Sequence, residues 1–123
     1  MKLKVLGYHV HLYFEHGKPS EKVAKLLVSR IKKNSSDKID ETLVYSQLVG
    51  PHTQPNYALH IKTEGFLEIV SSLQLDSSGL SILIHPETGN DEQDHAERAM
   101  WLGKQLTLDM TYFTWLKNRN PNV

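Results

Sequence analysis

Apolar and polar residues alternate strictly over residues 7–15, which read Gly-Tyr-His-Val-His-Leu-Tyr-Phe-Glu. A period of two residues is typical of a β-strand with one buried face. The apolar side of this strand consists of Tyr8, Val10, Leu12 and Phe14, and the polar side consists of His9, His11, Tyr13 and Glu15. Because side chains two positions apart share a face and stand roughly 6.5–7 Å apart, His9 and His11 can reach one small ligand together.

The patterns further along the chain predict the remaining elements in order. They are a helix from Ser20, taken as its N-cap, to about residue 33, strands over residues 43–49 and 57–62, a helix over residues 64–73, a strand over residues 80–85 and a helix over residues 91–103. Residues 105–113 alternate again and are compatible with a fifth strand, and residues 114–117 are compatible with a helix.

The predicted order is strand, helix, strand, strand, helix and strand, followed by an extra C-terminal helix or strand. This is the βαββαβ order of the ferredoxin-like fold, an α+β fold in which an antiparallel sheet carries two helices on one face. The first and third strands are then central, and the fourth strand pairs with the first. The other face of the sheet needs a cover, and a second copy of the chain is a common one, so we expect a homodimer.

Composition narrows the class of protein. The chain has 123 residues, the size of one domain, so a single domain over residues 1–123 is predicted. Its 14 Lys and Arg balance 14 Asp and Glu, which gives no reason to expect nucleic acid or an anionic membrane as a partner. Neither a membrane span of ~20 apolar residues nor a signal peptide is recognisable. With no cysteine, disulfides and thiolate metal sites are excluded, and a cytoplasmic location is expected.

Seven histidines are the unusual feature of the composition. If Ile82 and Ile84 face the helices, His85 shares the face of His9 and His11. Three more histidines can join the same face, from the third strand, a turn and the third helix: His60, His52 and His95. A cluster of neutral imidazoles suits iron, zinc, copper or nickel.

Each of these residues also has a simpler interpretation. A single histidine on an amphipathic strand is commonly a half-exposed surface residue, and a surface strand tolerates a His-x-His pair without a function. The aromatic residues Trp101, Tyr112, Phe113 and Trp115 are interpreted as core or dimer interface. The sequence has no Gly-x-Ser-x-Gly motif, no phosphate-binding glycine loop and no His-Glu-x-x-His motif, which argues against the common hydrolase and nucleotide-binding classes.

Several short motifs occur together between residue 8 and about residue 109. They are residues 8–14, Gly-Pro-His at 50–52 with Pro55 and Tyr57, Leu-Ile-His-Pro at 83–86 with Thr88 and Gly89, Asp-His at 94–95, and Trp-Leu-Gly at 101–103. In this order they resemble the DOPA 4,5-dioxygenase family of the small fungal and bacterial type. The resemblance implies extradiol cleavage of a catechol ring by non-haem iron and dioxygen.

The resemblance also marks site residues. It implies a metal-site set of His9, His11, His52 and His85, with His95 nearby. The sequence departs from the family pattern at Thr53 and Asn56, and His60 is an addition to it. Since these positions lie beside the expected pocket, the resemblance defines the substrate less closely than it defines the metal.

Roles follow from what ring cleavage requires. Iron needs open positions for two catecholate oxygens and for dioxygen, so three protein ligands fit better than four. We therefore predict His9, His11 and His85 as ligands of Fe(II), whose place zinc or nickel can take. His52 or His95 is then the acid/base that takes a catechol proton, and Tyr13 a donor to a substrate oxygen. A carboxylate that would complete a facial triad is not evident, because Glu15 lies too far along the strand.

Two other classes of function remain open from the sequence. One is a non-catalytic dimeric module that binds a metal or a small aromatic ligand on the same face. The other is a cofactor-free oxygenase on a dimeric ferredoxin-like scaffold. Iron-dependent ring opening of a catechol would exclude the first, and activity that survives exhaustive chelation would identify the second.

Overall fold

The computed structural model describes residues 3–119 and has the predicted mixed α+β architecture. The strands are β1 (Gly7–Tyr13), β2 (Ile39–Tyr45), β3 (Asn56–Ile61), β4 (Ile82–Glu87) and β5 (Met100–Leu102), and the helices are α1 (Pro19–Ser35), α2 (Phe66–Leu75), α3 (Asp91–Asp94) and α4 (Thr111–Arg119). Two single turns of 3-10 helix, Ser36–Lys38 and Thr63–Gly65, precede β2 and α2.

The five strands form one antiparallel sheet in the order β2-β3-β1-β4-β5. As predicted, β1 and β3 are internal strands and β4 pairs with β1. Val10 of β1 lies opposite Leu59 of β3 and Ile84 of β4. All three side chains are buried in the core between the sheet and helices α1 and α2.

The core lies on one face of the sheet only. Helices α1 and α2 contribute Leu27, Ile31, Ile69 and Leu73 to it. Full burial of a side chain of this size contributes about 1.5–3 kcal/mol, so the apolar alternation determines which face of each strand turns inward. The alternate positions of β1, with both of its histidines, are consequently on the opposite face.

Strand β4 differs from its prediction in length. The sequence predicted that it ends at His85 near the edge of the sheet, but it continues through Pro86 to Glu87, and His85 is 0% exposed. Pro86 lies opposite Tyr8, whereas β5 pairs only with the residues from Ile82 to Ile84. Proline is tolerated here because no strand beyond this point needs its missing N–H.

The predicted third helix over residues 91–103 is wrong beyond its first turn. Helix α3 ends at Asp94, and Met100–Leu102 form β5, in which Trp101 lies opposite Leu83. The buried carboxylate of Asp94 accepts hydrogen bonds from the backbone N–H of Thr88 and from Arg98, which holds the chain in a loop at this point. The free edge of β4 then pairs with Met100–Leu102, which therefore form the strand β5.

The start and the end of the second strand and the start of helix α1 also depart from the predictions. The second strand begins at Ile39 and ends at Tyr45 instead of spanning residues 43–49. Ser20 is not the N-cap of α1: Lys18 has that position, and the Ser20 hydroxyl accepts a hydrogen bond from the backbone N–H of Glu15.

The segment over residues 105–113 that is compatible with a fifth strand is irregular up to residue 110 and helical from Thr111. The compatible strand over residues 105–113 is absent from the structure of this segment, because α4 already begins at Thr111. Asp109 Oδ1 accepts a hydrogen bond from the backbone N–H of Thr111, which satisfies a free donor at the start of the helix. The helix expected over residues 114–117 is confirmed as part of α4.

No helix within residues 3–119 has the length and apolarity needed to cross a membrane. The cytoplasmic location and the homodimer expected from the sequence stay predictions.

Candidate metal centre

Strand register places histidines side by side on the helix-free face of the sheet. His9 lies opposite His60 on β3 and opposite His85 on β4. The ring centroids of His9 and His85 are 5.1 Å apart, and those of His11 and His85 are 5.3 Å apart. One ring nitrogen from each of His9, His11 and His85 lies within 4.8 Å of the others. The structure thus brings the three predicted ligands together, although their role as ligands stays a prediction.

The tautomer of His11 is set by a buried amide. His11 Nδ1 lies 2.9 Å from Oδ1 of Asn56, and Asn56 Nδ2 donates to the backbone oxygen of Gln54 at 3.3 Å. The second contact orients the amide so that its oxygen faces the imidazole. Because that oxygen only accepts, Nδ1–H of His11 donates to it, and Nε2 carries the lone pair.

His85 has the same arrangement with a backbone partner. Its Nδ1–H donates to the carbonyl oxygen of Pro86 at 3.0 Å, and its Nε2 lies 3.2 Å from Nε2 of His11. Burial, with the charge of His52 as the next cause, holds the pKa of His11 well below its ordinary value. Burial and then His95 lower the pKa of His85 to about 2. Both rings are therefore neutral, and two lone pairs face each other in a buried space.

Such a pair of nitrogens fits a metal ion. Two ligand nitrogens bound at about 2.0–2.1 Å lie roughly 3 Å apart, which is close to the distance between the two Nε2 atoms. Without an ion or a proton between them the lone pairs repel, and burial disfavours the proton. The donor set of this chain therefore fits a divalent metal held by imidazole, and its chemistry does not select one metal.

The third histidine of the group is supported by a carboxylate. His9 Nδ1 lies 3.2 Å from Oε1 of Glu87. Burial, followed by the charge of His60, lowers the pKa of His9 to about 4. Burial, followed by the charges of Asp91 and Asp94, raises the pKa of Glu87 to about 7. A carboxylate behind an imidazole is the usual way to orient a metal-binding histidine.

Two supporting residues were not predicted as part of the site. Glu87 follows His85 by two positions on β4, so the period of two that identified His9 and His11 could have found it. Asn56 had been noted only as a departure from the family pattern, and its partner is known only from the pairing of β1 with β3. Glu15, the carboxylate considered from the sequence, is exposed and lies beyond the end of β1.

His52 is held by Tyr13. The Tyr13 hydroxyl lies 2.6 Å from Nδ1 of His52. Burial raises the pKa of Tyr13 above its ordinary value and lowers the pKa of His52 to about 4, so both groups are neutral. A buried phenol needs an acceptor for its hydrogen, and within residues 3–119 that acceptor is His52 Nδ1. The hydrogen of the His52 ring is then on Nε2, which makes this nitrogen a donor.

His95 completes the cluster from the C-cap position of α3. Its Nδ1–H donates to the backbone oxygen of Asp91 at 2.7 Å, which leaves Nε2 as the acceptor. The ring centroid of His95 lies 3.9 Å from that of His85. One ring nitrogen from each of His11, His52 and His95 lies within 4.8 Å of the others. The five predicted site histidines therefore form one cluster in which His11 belongs to both groups of three.

His60, on the neighbouring strand β3, packs against His9. Its ring stacks on that of His9 at 3.7 Å with an interplanar angle of 5°, and its Nδ1 lies 3.4 Å from Oε2 of Glu41. It belongs to neither group of three ring nitrogens. It therefore packs against one candidate ligand without being one itself.

A cavity of about 210 Å³ opens onto the cluster. Its wall includes Tyr45 at the end of β2, Pro51 from the segment after β2, and Tyr112 and Phe113 from α4. Phe113 is buried, and its ring centroid lies 5.4 Å from that of His95. Five of the histidines, but not His85, therefore line a space that a small molecule can enter.

The aromatic residues interpreted as core or dimer interface have different environments. Phe113 is buried as a core residue, but Tyr112 lines the cavity. Trp101 stacks on Tyr13 with ring centroids 5.8 Å apart, so it supports the site from β5. Trp115 is 51% exposed and lies under the guanidinium of Arg119.

The fold and the cluster define a small α+β protein with a candidate metal centre of histidines on an antiparallel sheet. The family model of the Dopa 4,5-dioxygenase family matches residues 8–112, which is most of the chain. The chain belongs to this family, and the resemblance found in the sequence motifs is confirmed.

Individual relatives agree with this assignment. An uncharacterised 21.2 kDa protein of Botryotinia fuckeliana is 31% identical over 125 residues, which is 92% of this chain and 66% of that protein. The DOPA 4,5-dioxygenase of Amanita muscaria is 29% identical over 112 residues, which is 87% of this chain and 49% of that enzyme. The chain thus spans 66% and 49% of the length of these two curated relatives.

A solved structure resembles the whole fold. It is a proposed dioxygenase from Nostoc punctiforme, which superimposes with a TM-score of 0.73 and 29% sequence identity over 91% of this chain and 94% of that chain. The family and this structural neighbour are both named for a dioxygenase, and the ring nitrogens of the histidine cluster are close enough together to hold a metal ion.

Proposed function

We propose that this protein is a metal-dependent, extradiol-type dioxygenase that opens the ring of a catechol-like aromatic. The observation that carries the proposal is the pair of neutral imidazoles, His11 and His85, whose Nε2 lone pairs face each other at 3.2 Å beneath an accessible cavity. Membership of the Dopa 4,5-dioxygenase family supports the reaction class. In this reaction both atoms of dioxygen enter the product as one ring C–C bond breaks, so no external reductant is required.

His9, His11 and His85 are the proposed ligands of Fe(II), and zinc or nickel can occupy the same donor set. When bound, the ion supplies open positions that bring the catechol oxygens and dioxygen together. Nδ1–H of His11 donates to Asn56 and Nδ1–H of His85 donates to the Pro86 carbonyl, while Nδ1 of His9 lies 3.2 Å from Oε1 of Glu87. Nε2 of His11 and Nε2 of His85 are thereby left to bind the ion, and one ring nitrogen of His9 belongs to the same group within 4.8 Å.

His95 and His52 have complementary proton states in this proposal. His95, whose Nε2 is the acceptor, takes a proton from the catechol hydroxyl as the general base. His52 presents Nε2–H and donates a hydrogen bond to a substrate or dioxygen-derived oxygen. Tyr13 was predicted to contact the substrate itself, but its hydroxyl hydrogen is used by His52 Nδ1. We therefore assign Tyr13 a positioning role that acts through His52.

We also propose that the topology of the chain is ferredoxin-like. The strand order β2-β3-β1-β4 within the sheet supports a single ferredoxin-like domain over residues 1–123, extended by β5 and α4. We propose that this domain works as a homodimer in which dioxygen and a small aromatic are the substrates.

The test is an anaerobic titration of the metal-free protein with Fe(II), followed by 4-methylcatechol and air, with absorbance as the readout. A yellow ring-opened product that requires iron is the expected result. Tight metal binding with no product from any catechol would instead support a binding module, and product formation that survives exhaustive chelation would support a cofactor-free oxygenase. The variant His16→Gln, which alters an exposed histidine beyond β1, is the matched control for His85→Gln.

A further inference from the structure

We propose that the cavity above the histidine cluster selects catechols whose side chain carries a positive charge, such as an amine, over those whose side chain carries a carboxylate. This inference rests on the proposed catechol chemistry and concerns the part of the substrate that does not react. It is based on the charges of the residues around the cavity.

Carboxylates and phenols are prominent in the wall of the cavity. Its carboxylates are Glu87 and Asp91, and its phenols are Tyr45 and Tyr112. The remaining lining residues are histidines and apolar residues. Within the described part of the chain, neither lysine nor arginine lines it. A substrate carboxylate therefore has no cationic partner in this wall.

The surroundings of the cavity are acidic as well. A neighbouring cleft shares His9, His60 and Glu87 with it and adds Asp40 and Glu41. One carboxylate oxygen from each of Glu87, Asp91 and Asp94 lies within 4.8 Å of the others.

Basic side chains near these segments have other partners. Arg98 donates to Asp94 and to the Thr88 hydroxyl, and Lys117 donates to Glu92. Arg98 thus compensates the buried Asp94, and no lysine or arginine within residues 3–119 forms an ion pair with Glu87 or Asp91.

The position of the reacting atoms gives the substrate a direction. In the proposed reaction its two hydroxyl groups face the histidines of the cavity wall, His11 among them, so its side chain meets the other residues of the wall. Asp91, the first residue of α3, is an exposed member of this wall. An ammonium group on the side chain meets a charge of opposite sign at this point, whereas a carboxylate meets a charge of the same sign. Since each solvent-exposed pair changes binding by a few fold, we expect a difference of about tenfold between the two substrates.

Three compounds with one ring and different side-chain charges test this inference. The compounds are dopamine, 4-methylcatechol and 3,4-dihydroxyphenylacetate. Each is titrated anaerobically into the protein loaded with Fe(II), and its binding is followed by calorimetry. We expect dopamine to bind about tenfold more tightly than the acid, with 4-methylcatechol between them. Equal affinities, the reverse order, or binding of none of the three would overturn the inference.

Turnover of the same compounds in air tests the proposed function separately. A binding preference for the amine without ring opening would leave the charge selectivity standing and reject the dioxygenase. Ring opening of all three compounds with equal kcat/KM would support the dioxygenase and reject the charge selectivity.

The residue that carries the selectivity is tested by removing one charge. Asp91→Asn keeps the backbone oxygen that accepts the hydrogen bond of His95, and it should reduce the ratio of dopamine to acid affinity by about threefold. Glu97→Gln is the matched control, because Glu97 lines the groove between α3 and α4 and not this cavity. An unchanged ratio in Asp91→Asn, or an equal reduction in Glu97→Gln, would overturn the assignment to the cavity wall.

Discussion

The Nε2 atoms of His11 and His85 lie 3.2 Å apart on neighbouring strands, and each ring has its hydrogen on the opposite nitrogen. This relationship is unfavourable by itself, since two buried acceptors face each other with no donor between them. It becomes favourable when a cation is bound, because each lone pair then has a partner. The free energy of metal binding should therefore depend on both rings and on the groups that hold their hydrogens in place.

Loss of either facing imidazole should remove tight metal binding. We expect His11→Gln or His85→Gln to lower the affinity for Fe(II) or Zn(II) by at least about 100-fold, measured by competition with a chelator. The control His16→Gln should bind one metal ion per chain like the unmodified protein. Circular dichroism of the metal-free variants checks that they are folded. Stoichiometric metal in a folded His11→Gln variant would remove His11 from the ligand set.

The buried amide of Asn56 should affect metal binding without touching the metal. In Asn56→Leu the Nδ1–H of His11 loses its acceptor, so we expect a metal affinity about 10–100-fold lower and a metal-free protein destabilised by about 1–3 kcal/mol. Asn56→Asp restores an acceptor oxygen and should recover most of the affinity. Equal metal affinity in Asn56→Leu and the unmodified protein would show that the orientation of His11 does not depend on this hydrogen bond.

His95 should be required for turnover and not for metal binding. If it is the general base, His95→Gln keeps one Fe(II) per chain while kcat falls by about 100-fold or more. Tyr13→Phe should have a smaller effect, about tenfold, because it only releases the ring of His52. Metal content by atomic absorption, together with kcat under saturating catechol, distinguishes the two roles. Loss of metal in His95→Gln would instead identify His95 as a ligand.

Acid should destabilise the metal-free protein from about pH 6.5 downward. The pKa of His9 and of His52 is about 4 in the folded chain and near 6.5 in the unfolded chain. Between these values the unfolded state binds protons that the folded state does not, so the free energy of unfolding falls by up to roughly 3 kcal/mol per histidine. Glu87 acts in the opposite direction: its pKa is raised to about 7, so it stabilises below about pH 4.5 and loses this contribution as the pH rises through 7.

Urea unfolding at several pH values between 7.5 and 4.5, in the presence of chelator, measures this dependence. His52→Gln should have a shallower decline than the unmodified protein, whereas His16→Gln, which changes an exposed histidine, should not. Identical slopes in His52→Gln and the unmodified protein would contradict a neutral, buried His52.

The local pattern of apolar and polar residues was sufficient to predict an element where one face of that element is buried. The alternation over residues 7–15 correctly assigned β1, and because the side-chain period of a strand is two, it also placed His9 and His11 on the same face. It failed over residues 91–103, where the apolar residues can be arranged with either a helical or a strand period. The choice there depends on the free edge of β4 and on the hydrogen bonds of Asp94, neither of which is local in sequence.

Fold class, the strand that carries the first two histidines and the family were determined by the sequence alone, because hydrophobic periodicity and short motifs are local properties of the chain. Tertiary structure decided the site itself. The 3.2 Å approach of His11 to His85 joins residues 74 positions apart, and the hydrogen bond of His11 to Asn56 joins residues 45 positions apart. Which ring nitrogen carries hydrogen depends on such partners, and so the chemistry of these histidines is decided only when the strands pair.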